Sequence, residues 1–265
     1  KAGLTFTKGS VSNGNNLLSY HATAAINQVA NELSAKEDIS YSEAREIVIN
    51  SGYTIYTTVN GDIQTKLEEI YKNSAYQIKG WSGVKGADTT GQSAMVIEEP
   101  STGYVVAEVG GLGENEDTLG INRATSKRQG GSAFKPLGVV APALENGVVT
   151  PSTIFYDTKT TFPGNYTVKN DSERYYGTPN MRTVLTKSLN VPEVKALSIM
   201  GVEKSQEFLK KIGIEVDASM MGLSMALGSA NVSPLEMAAG FAMIANKGVY
   251  ITPTFYTKVV GQDGN

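Results

Sequence analysis

The chain contains no cysteine and a single histidine, His21, in 265 residues. Without thiols there can be no disulfide, thiolate nucleophile, zinc knuckle or iron–sulfur cluster. The compartment stays open, because many bacterial extracytoplasmic proteins also lack cysteine. One histidine cannot assemble a multi-histidine metal centre, and a Ser–His–Asp triad would have to be built on His21. No metal site and no cofactor are expected. Charge of one sign is scarce too: 23 Lys and Arg against 26 Asp and Glu give a net of -3. With no basic cluster, nucleic acid is not an expected partner. No apolar run approaches the ~18–20 residues that span a bilayer, and Lys1 onward has no signal-peptide pattern, so no membrane anchor is expected within these residues. What remains, 40% hydrophobic and 18% charged, is the composition of a folded globular chain. Its length suits one large domain, or one domain with a smaller appendage.

Periodicity supplies the element order. Lys8 to Asn16 reads as a loose loop. Leu18, Ala22, Ala25, Val29 and Leu33 form one face of a helix, and Ser40-Tyr41-Ser42-Glu43 is a capping box that opens a second helix ending near Gly52. The β-branched and aromatic run Tyr53 to Val59 reads as a strand. Asn60 and Asp62 then open a helix expected to bury Ile63, Leu67, Ile70 and Tyr71. Lys79 to Gly91 reads as a loop. Ser93 to Ile97 and Tyr104 to Val109 read as a hairpin around Glu99-Pro100-Ser101-Thr102-Gly103, followed by another loop, Gly110 to Asn122. One helix is expected from Phe134 to Asn146, with Pro136 near its start. Loop with strand fragments fills Thr150 to Gly177. Short helices follow over Met181 to Asn190, Pro192 to Met200 and Val202 to Ile212. Ser233-Pro234-Leu235-Glu236 is a clear helix start, and Val249 to Val260 is extended. Strands, then many helices, then a last extended segment imply an α+β domain.

With histidine and cysteine so scarce, nucleophilic chemistry points to lysine as the base. Serine and lysine three residues apart share a helix face, and this spacing occurs at Ser82…Lys85 and at Ser132…Lys135. Ser82 lies in a Gly-flanked loop with nothing to hold its lysine nearby, so that pair reads as solvent-facing. Ser132 follows Gly130-Gly131 and opens an apolar helix, which places its hydroxyl at a positive helix N-terminus. The plain alternative is a serine N-cap with an exposed lysine. Ser188-Leu189-Asn190 adds a second hydroxyl and an amide, and Ser229-Ala230-Asn231 repeats that tripeptide. Either alone reads equally well as a cap.

The segment Arg128-Gln129-Gly130-Gly131-Ser132-Ala133-Phe134-Lys135-Pro136 resembles the active-site segment of penicillin-binding proteins. Gly52 to Val59 resembles the entry to the transpeptidase domain of the bifunctional class A members, and Ala94 to Gly111 resembles that domain's first strand pair. Asn122-Arg123-Ala124, Ser188-Leu189-Asn190-Val191-Pro192 and Leu227 to Ala238 match in order. The resemblance implies an α+β fold of the penicillin-binding and serine β-lactamase type, helices around an antiparallel sheet, incomplete at the C-terminus. Residues 1–51 then correspond to a helical linker following an absent glycosyltransferase domain, and 52–265 to the transpeptidase domain.

In that family Ser132 would be the nucleophile, Lys135 its general base, Ser188 a proton relay and Asn190 a ligand of the substrate amide. The implied activity is D,D-transpeptidation of peptidoglycan stem peptides ending in D-Ala-D-Ala, with acylation by β-lactam antibiotics. The implied location is the extracytoplasmic face of a bacterial cell membrane. Gly130 stands where the family commonly has proline, and Ala133 where it has Ser or Thr. The third family signature, Lys-Thr-Gly or Lys-Ser-Gly, occurs nowhere in the 265 residues. It is expected on a second chain or on residues outside this one. Two other readings stay open: a non-catalytic peptidoglycan-binding or scaffolding domain, and a hydrolytic D,D-carboxypeptidase or β-lactamase relative.

Overall fold

The computed structural model of the chain describes residues 3–5, 18–76, 91–113 and 120–262. The Ser82…Lys85 pair and the loop from Lys8 to Asn16 lie outside the described residues. Two units divide the chain, Lys1–Ser126 with Ala242–Asn265, and Lys127–Phe241.

In the first unit, strand β1 (Gly3–Thr5) precedes helices α1 (Tyr20–Glu37) and α2 (Tyr41–Asn50). Each helix starts on a serine that satisfies an orphan amide: Ser19 Oγ accepts from Ala22 N at 3.1 Å and Ser40 Oγ from Glu43 N at 3.2 Å. The inward face of α1 is largely alanine, with Ala22, Ala25 and Ala30 buried beside Ile26 and Val29, and α2 packs against it through Ala44 and Val48. Strand β2 (Thr54–Thr57) is antiparallel to β1.

Helix α3 (Gly61–Lys72) departs from the periodicity: Gln64, Leu67 and Tyr71 are buried, whereas Ile63 and Ile70 are exposed. The reason is a pair of hydrogen bonds to the hairpin that follows, strands β3 (Met95–Glu99) and β4 (Tyr104–Val109). Gln64 Nε2 donates to the Glu108 carbonyl at 2.9 Å, and Glu108 N donates to Gln64 Oε1 at 2.8 Å. The amide side chain stands in for a neighbouring strand and rotates the helix about that contact.

The second unit begins with β5 (Arg128–Gln129), then a 3-10 turn over Gly131–Phe134, a π turn over Pro136–Val140 and the short helix α4 (Ala141–Glu145). The single helix expected from Phe134 is therefore broken into three geometries. Pro142 has no N–H for the carbonyl of Gly138 and would crowd it in an α-helix. That carbonyl is taken instead by buried Ser205 Oγ at 2.5 Å. Strands β6 (Thr160–Phe162) and β7 (Tyr166–Val168) form a hairpin. Helices α5 (Met181–Thr186), α6 (Asn190–Met200) and α7 (Val202–Lys211) follow. Strand β8 (Asn231–Val232) pairs antiparallel with β5. Helix α8 (Pro234–Ala245) opens on a reciprocal capping box: Glu236 N donates to Ser233 Oγ at 3.2 Å, and Ser233 N to Glu236 Oε2 at 2.8 Å.

The chain then returns to the first unit, where β9 (Tyr256–Val260) pairs antiparallel with β2, giving the sheet order β1-β2-β9. Helices packed with small antiparallel sheets make this the expected α+β class.

Glu108 is fully buried, with Oε1 accepting from Asn122 Nδ2 at 2.6 Å and Oε2 unpartnered. Burial pushes its carboxyl from the ordinary 4.5 up to about 7, against the Asn122 hydrogen bond. The folded protein then binds the proton more tightly than the unfolded chain. The associated stability is complete below about pH 4.5 and is lost as pH rises through about 7, by roughly 3 kcal/mol. Glu108→Gln, which keeps an acceptor for Asn122, is expected to raise the urea midpoint at pH 8 and to flatten its decline between pH 5 and pH 8.

Candidate active site

Ser132 is held by two backbones that cross at glycines. Gly131 N donates to the Gly228 carbonyl at 3.1 Å, and Gly130 N to the Ala230 carbonyl at 3.2 Å, the latter a bond that proline at 130 could not make. Gly228 has φ 80°, and a Cβ there would lie 1.8 Å from the Gly131 carbonyl oxygen, so only glycine fits. Ser132 is exposed, inside the 3-10 turn rather than capping it, and its carbonyl accepts the Lys135 N–H. Buried Phe134 anchors the turn.

Lys135, one turn on, is only 1% exposed. This removes the alternative of a capping serine with a solvent-facing lysine. Its Nζ donates to the Ser188 carbonyl at 2.8 Å, Ser188 Oγ at 3.1 Å and Asn190 Oδ1 at 2.7 Å. Three of the four residues singled out by sequence therefore touch directly, and the fourth, Ser132, is on the same segment three residues before the lysine. The second tripeptide, Ser229 to Asn231, serves the scaffold: Ser229 Oγ bonds Ser224 Oγ at 3.0 Å, and Asn231 pairs with Gln129.

Ser188 and Asn190 do not share one helix, as the sequence pattern suggested. Helix α5 stops at Thr186 and α6 starts at Asn190, with Ser188 between them in the left-handed region at φ 52°. Pro192 explains the break. It has no N–H for the carbonyl of Ser188, four residues back, and its ring would crowd that carbonyl in a continuous helix. The carbonyl so released is one that Lys135 uses. A serine held left-handed costs on the order of 1 kcal/mol, a strain found most often at functional sites.

Sequence reasoning missed the group that fixes this corner. Asn190 Nδ2 donates to the Lys169 carbonyl at 2.9 Å. Asn170 Oδ1 accepts from Val191 N at 3.2 Å, while its Nδ2 donates to buried Asp157 Oδ2 and to the Arg174 carbonyl, both at 2.8 Å. Asp157 Oδ2 also accepts from Tyr176 N at 2.8 Å. The loop from 157 to 177 is thereby tied to the start of α6. Nothing in its polar, aromatic composition marks which asparagine is buried. The loop tyrosines, to which the sequence assigns no role, are variously placed: Tyr156 is 70% exposed, and Lys187 Nζ lies 5.4 Å over the Tyr176 ring.

Glu193, also missed, is fully buried on α6 with neither carboxyl oxygen hydrogen-bonded. From sequence it reads as an ordinary first-turn acid beside the helix dipole. Burial pushes its carboxyl up to about 8, opposed by the charge of Lys135. Burial lowers Lys135 below the usual lysine range, opposed by Glu193 and then Asp171.

His21 belongs to the core of the first unit. It is buried, its Nε2 lies 2.7 Å from the Val105 carbonyl, and desolvation lowers its pKa. The one histidine is thus engaged in structure. Among the described residues, no group of three or more His, Cys, Asp or Glu could hold a metal ion.

Residues 93–264 match the penicillin-binding protein transpeptidase domain. Penicillin-binding protein 1F of Bacillus subtilis is 34% identical over 226 residues, covering 84% of this chain and 30% of that protein. Penicillin-binding protein 1A of Clostridium botulinum is 30% identical, covering 98% and 33%. Among solved structures, PonA1 of Mycobacterium tuberculosis in complex with penicillin V aligns with a TM-score of 0.69 at 22% identity, over 92% of this chain and 63% of that one. Penicillin-binding protein 1A of Haemophilus influenzae aligns with a TM-score of 0.66 at 22% identity, over 90% and 49%. The α+β domain with a buried lysine between a serine turn and a Ser-x-Asn corner is thus a transpeptidase-type fold. The chain belongs to the penicillin-binding protein transpeptidase family, and it spans about a third of the length of the curated relatives it matches.

Asn170→Ala should leave the Val191 amide and Asp157 short of a partner. We expect a loss of about 1–3 kcal/mol by urea unfolding, together with faster proteolytic cleavage between residues 157 and 177.

Proposed function

We propose that this chain supplies the acylating half-site of a serine-type peptidoglycan D,D-transpeptidase. The observation that carries the reading is the buried Lys135 amine, gathered by Ser188 and Asn190 one turn from exposed Ser132. As an ammonium, Lys135 has three N–H donors and three bonds to fill them. It has no lone pair for a base until one proton leaves. Desolvation favours that loss, because it disfavours the charged amine.

The free amine would take the Ser132 hydroxyl proton as Oγ attacks the carbonyl between the two terminal D-alanines of a stem peptide. An O–C bond forms, and the carbonyl π electrons move onto oxygen. The Ser132 N–H would be one donor to that oxyanion, and the family places a second on the strand carrying Lys-Thr-Gly. As the tetrahedral species collapses, the C–N bond breaks, and Ser188 Oγ would pass a proton from Lys135 to the leaving D-alanine nitrogen. Ser188 is within 3.1 Å of Lys135 Nζ, as a relay requires. Asn190 would bind the substrate amide. An amine of a neighbouring stem peptide would then attack the ester carbonyl, forming a C–N bond as the C–O bond to Ser132 breaks, with the proton movements reversed. β-Lactams, whose strained amide copies the D-Ala-D-Ala carbonyl, would acylate the same oxygen.

The substrate places the domain on the extracytoplasmic face of the bacterial membrane. Among the described residues no helix is long and apolar enough to cross one. We read residues 1–51 as the linker from a glycosyltransferase domain and 52–265 as transpeptidase.

The test is intact mass after incubation with a penicillin, using this chain alone and joined to a segment bearing Lys-Thr-Gly. One adduct of the drug's mass is expected on the wild type and none on Ser132→Ala. Lys135→Ala should acylate about 10²–10⁴-fold more slowly, and the wild-type rate should fall as pH drops and the amine is protonated. Slow release of the adduct marks a transpeptidase, and rapid release a hydrolase. No adduct on a folded, joined chain would leave a scaffolding domain as the reading.

A further inference from the structure

Acyl transfer as described leaves Glu193 without a task, yet it occupies an expensive position. It lies three residues beyond Asn190 on α6, so the two side chains share a helix face, and on that face Asn190 Oδ1 holds Lys135 Nζ at 2.7 Å. Glu193 is fully buried, and neither of its oxygens meets a donor. Burying an ionised carboxylate without hydrogen bonds is strongly unfavourable unless it is closely paired with a cation. The Lys135 donors that could provide such pairing are spent on Ser188 and Asn190.

Two other charges near α6 are not fully exposed, and each has its own partners: buried Asp157 accepts from Asn170 Nδ2 and Tyr176 N, and half-buried Lys195, on α6 itself, donates to the Tyr156 carbonyl. Segments 136–140 and 223–227 contain no charged residue. The charged residues of α4, α5 and α7, and Lys169 and Asp171 after β7, are all exposed. Glu193 and then Asp171 oppose the lowering of Lys135 by burial, and Lys135 opposes the raising of Glu193.

We propose that Glu193 is a positioning residue for the lysine base: a neutral acid that excludes water beside Lys135 while withholding a buried counter-charge from it. This rests on the reading of Lys135 as the base. The proton balance is simple. An amine beside a carboxylic acid and an ammonium beside a carboxylate contain the same number of protons, and they differ by one proton moved between Nζ and a Glu193 oxygen. Holding that proton on Glu193 leaves the amine two N–H groups, enough for the Ser188 carbonyl and Asn190 Oδ1, and a lone pair to take the Ser132 proton. Ser188 Oγ is then no longer needed as an acceptor. The direction in which burial shifts each group agrees, upward for Glu193 and downward for Lys135.

The test needs no substrate. Carbon-13 NMR of the Glu193 carboxyl and Lys135 Cε is followed against pH in the 265-residue chain, in Glu193→Gln and in Glu193→Ala. Lys135→Met assigns the lysine signal, and thermal unfolding at pH 6 confirms that each variant is folded. Glu193 should be in its acid form at pH 7, and Lys135 should titrate below ordinary lysines. Gln, neutral and of the same shape, should leave the Lys135 midpoint within about half a unit. Ala, which admits water, should raise it by about a unit or more. A carboxylate signal at pH 7, with Gln lowering the Lys135 midpoint by more than about a unit, would reveal an ion pair and overturn the proposal. So would an Ala variant whose lysine midpoint does not move. Failure of penicillin acylation with these titrations intact would remove the transpeptidase reading and leave the Glu193–Lys135 pair standing.

Discussion

A lysine amine taken out of water must have its protons accepted or give one up, and the second unit is organised around that requirement at Lys135. The carbonyl and hydroxyl of Ser188 and the amide oxygen of Asn190 meet it. None of these acceptors would be in place in a regular helix from 181 to 200. Pro192 interrupts the hydrogen-bond ladder, Ser188 takes a left-handed backbone, and the freed carbonyl turns to the amine. The loop from 157 to 177 then secures the arrangement from outside, with Asn170 bridging Asp157 and the Val191 amide. Strain at one serine is thus sustained by several ordinary bonds around it.

Much of this was legible in the sequence where one residue type has one physical meaning. The serines expected before helices at Ser40 and Ser233 were caps. The Ser132 and Ser188 motifs pointed to one site, and Lys135 does touch the second motif. Legibility failed where a side chain took over a backbone's role. Periodicity assigns Ile63 and Ile70 to the core of α3, yet Gln64 is buried because its amide pairs with Glu108. Apolar spacing predicts one helix from Phe134, yet Pro142 releases a carbonyl that Ser205, 67 positions along, must find. Such partners are far apart in sequence, so no local window contains both.

Buried charge was the other blind spot. Glu108 and Glu193 look like any acid on a strand or in a first helical turn, and only packing reveals that each has lost its water. Lys135 was recognisable because its spacing from a serine carries chemical meaning. Glu193 has no such spacing to announce it.

The contact between Gln64 and Glu108 also bears on how this protein avoids its own kind. The side of β4 facing away from β3 offers Val105 N–H, the Val106 carbonyl and both backbone groups of Glu108. All are already occupied, by the Thr254 carbonyl, Asn60 N and the Gln64 amide. A strand from another molecule would find no ladder to join there without first evicting a glutamine. With the Val105 carbonyl taken by the Thr58 hydroxyl and His21 Nε2, the edge is sealed by side chains and loop backbone together, a guard against intermolecular sheet growth on this side that requires no additional strand.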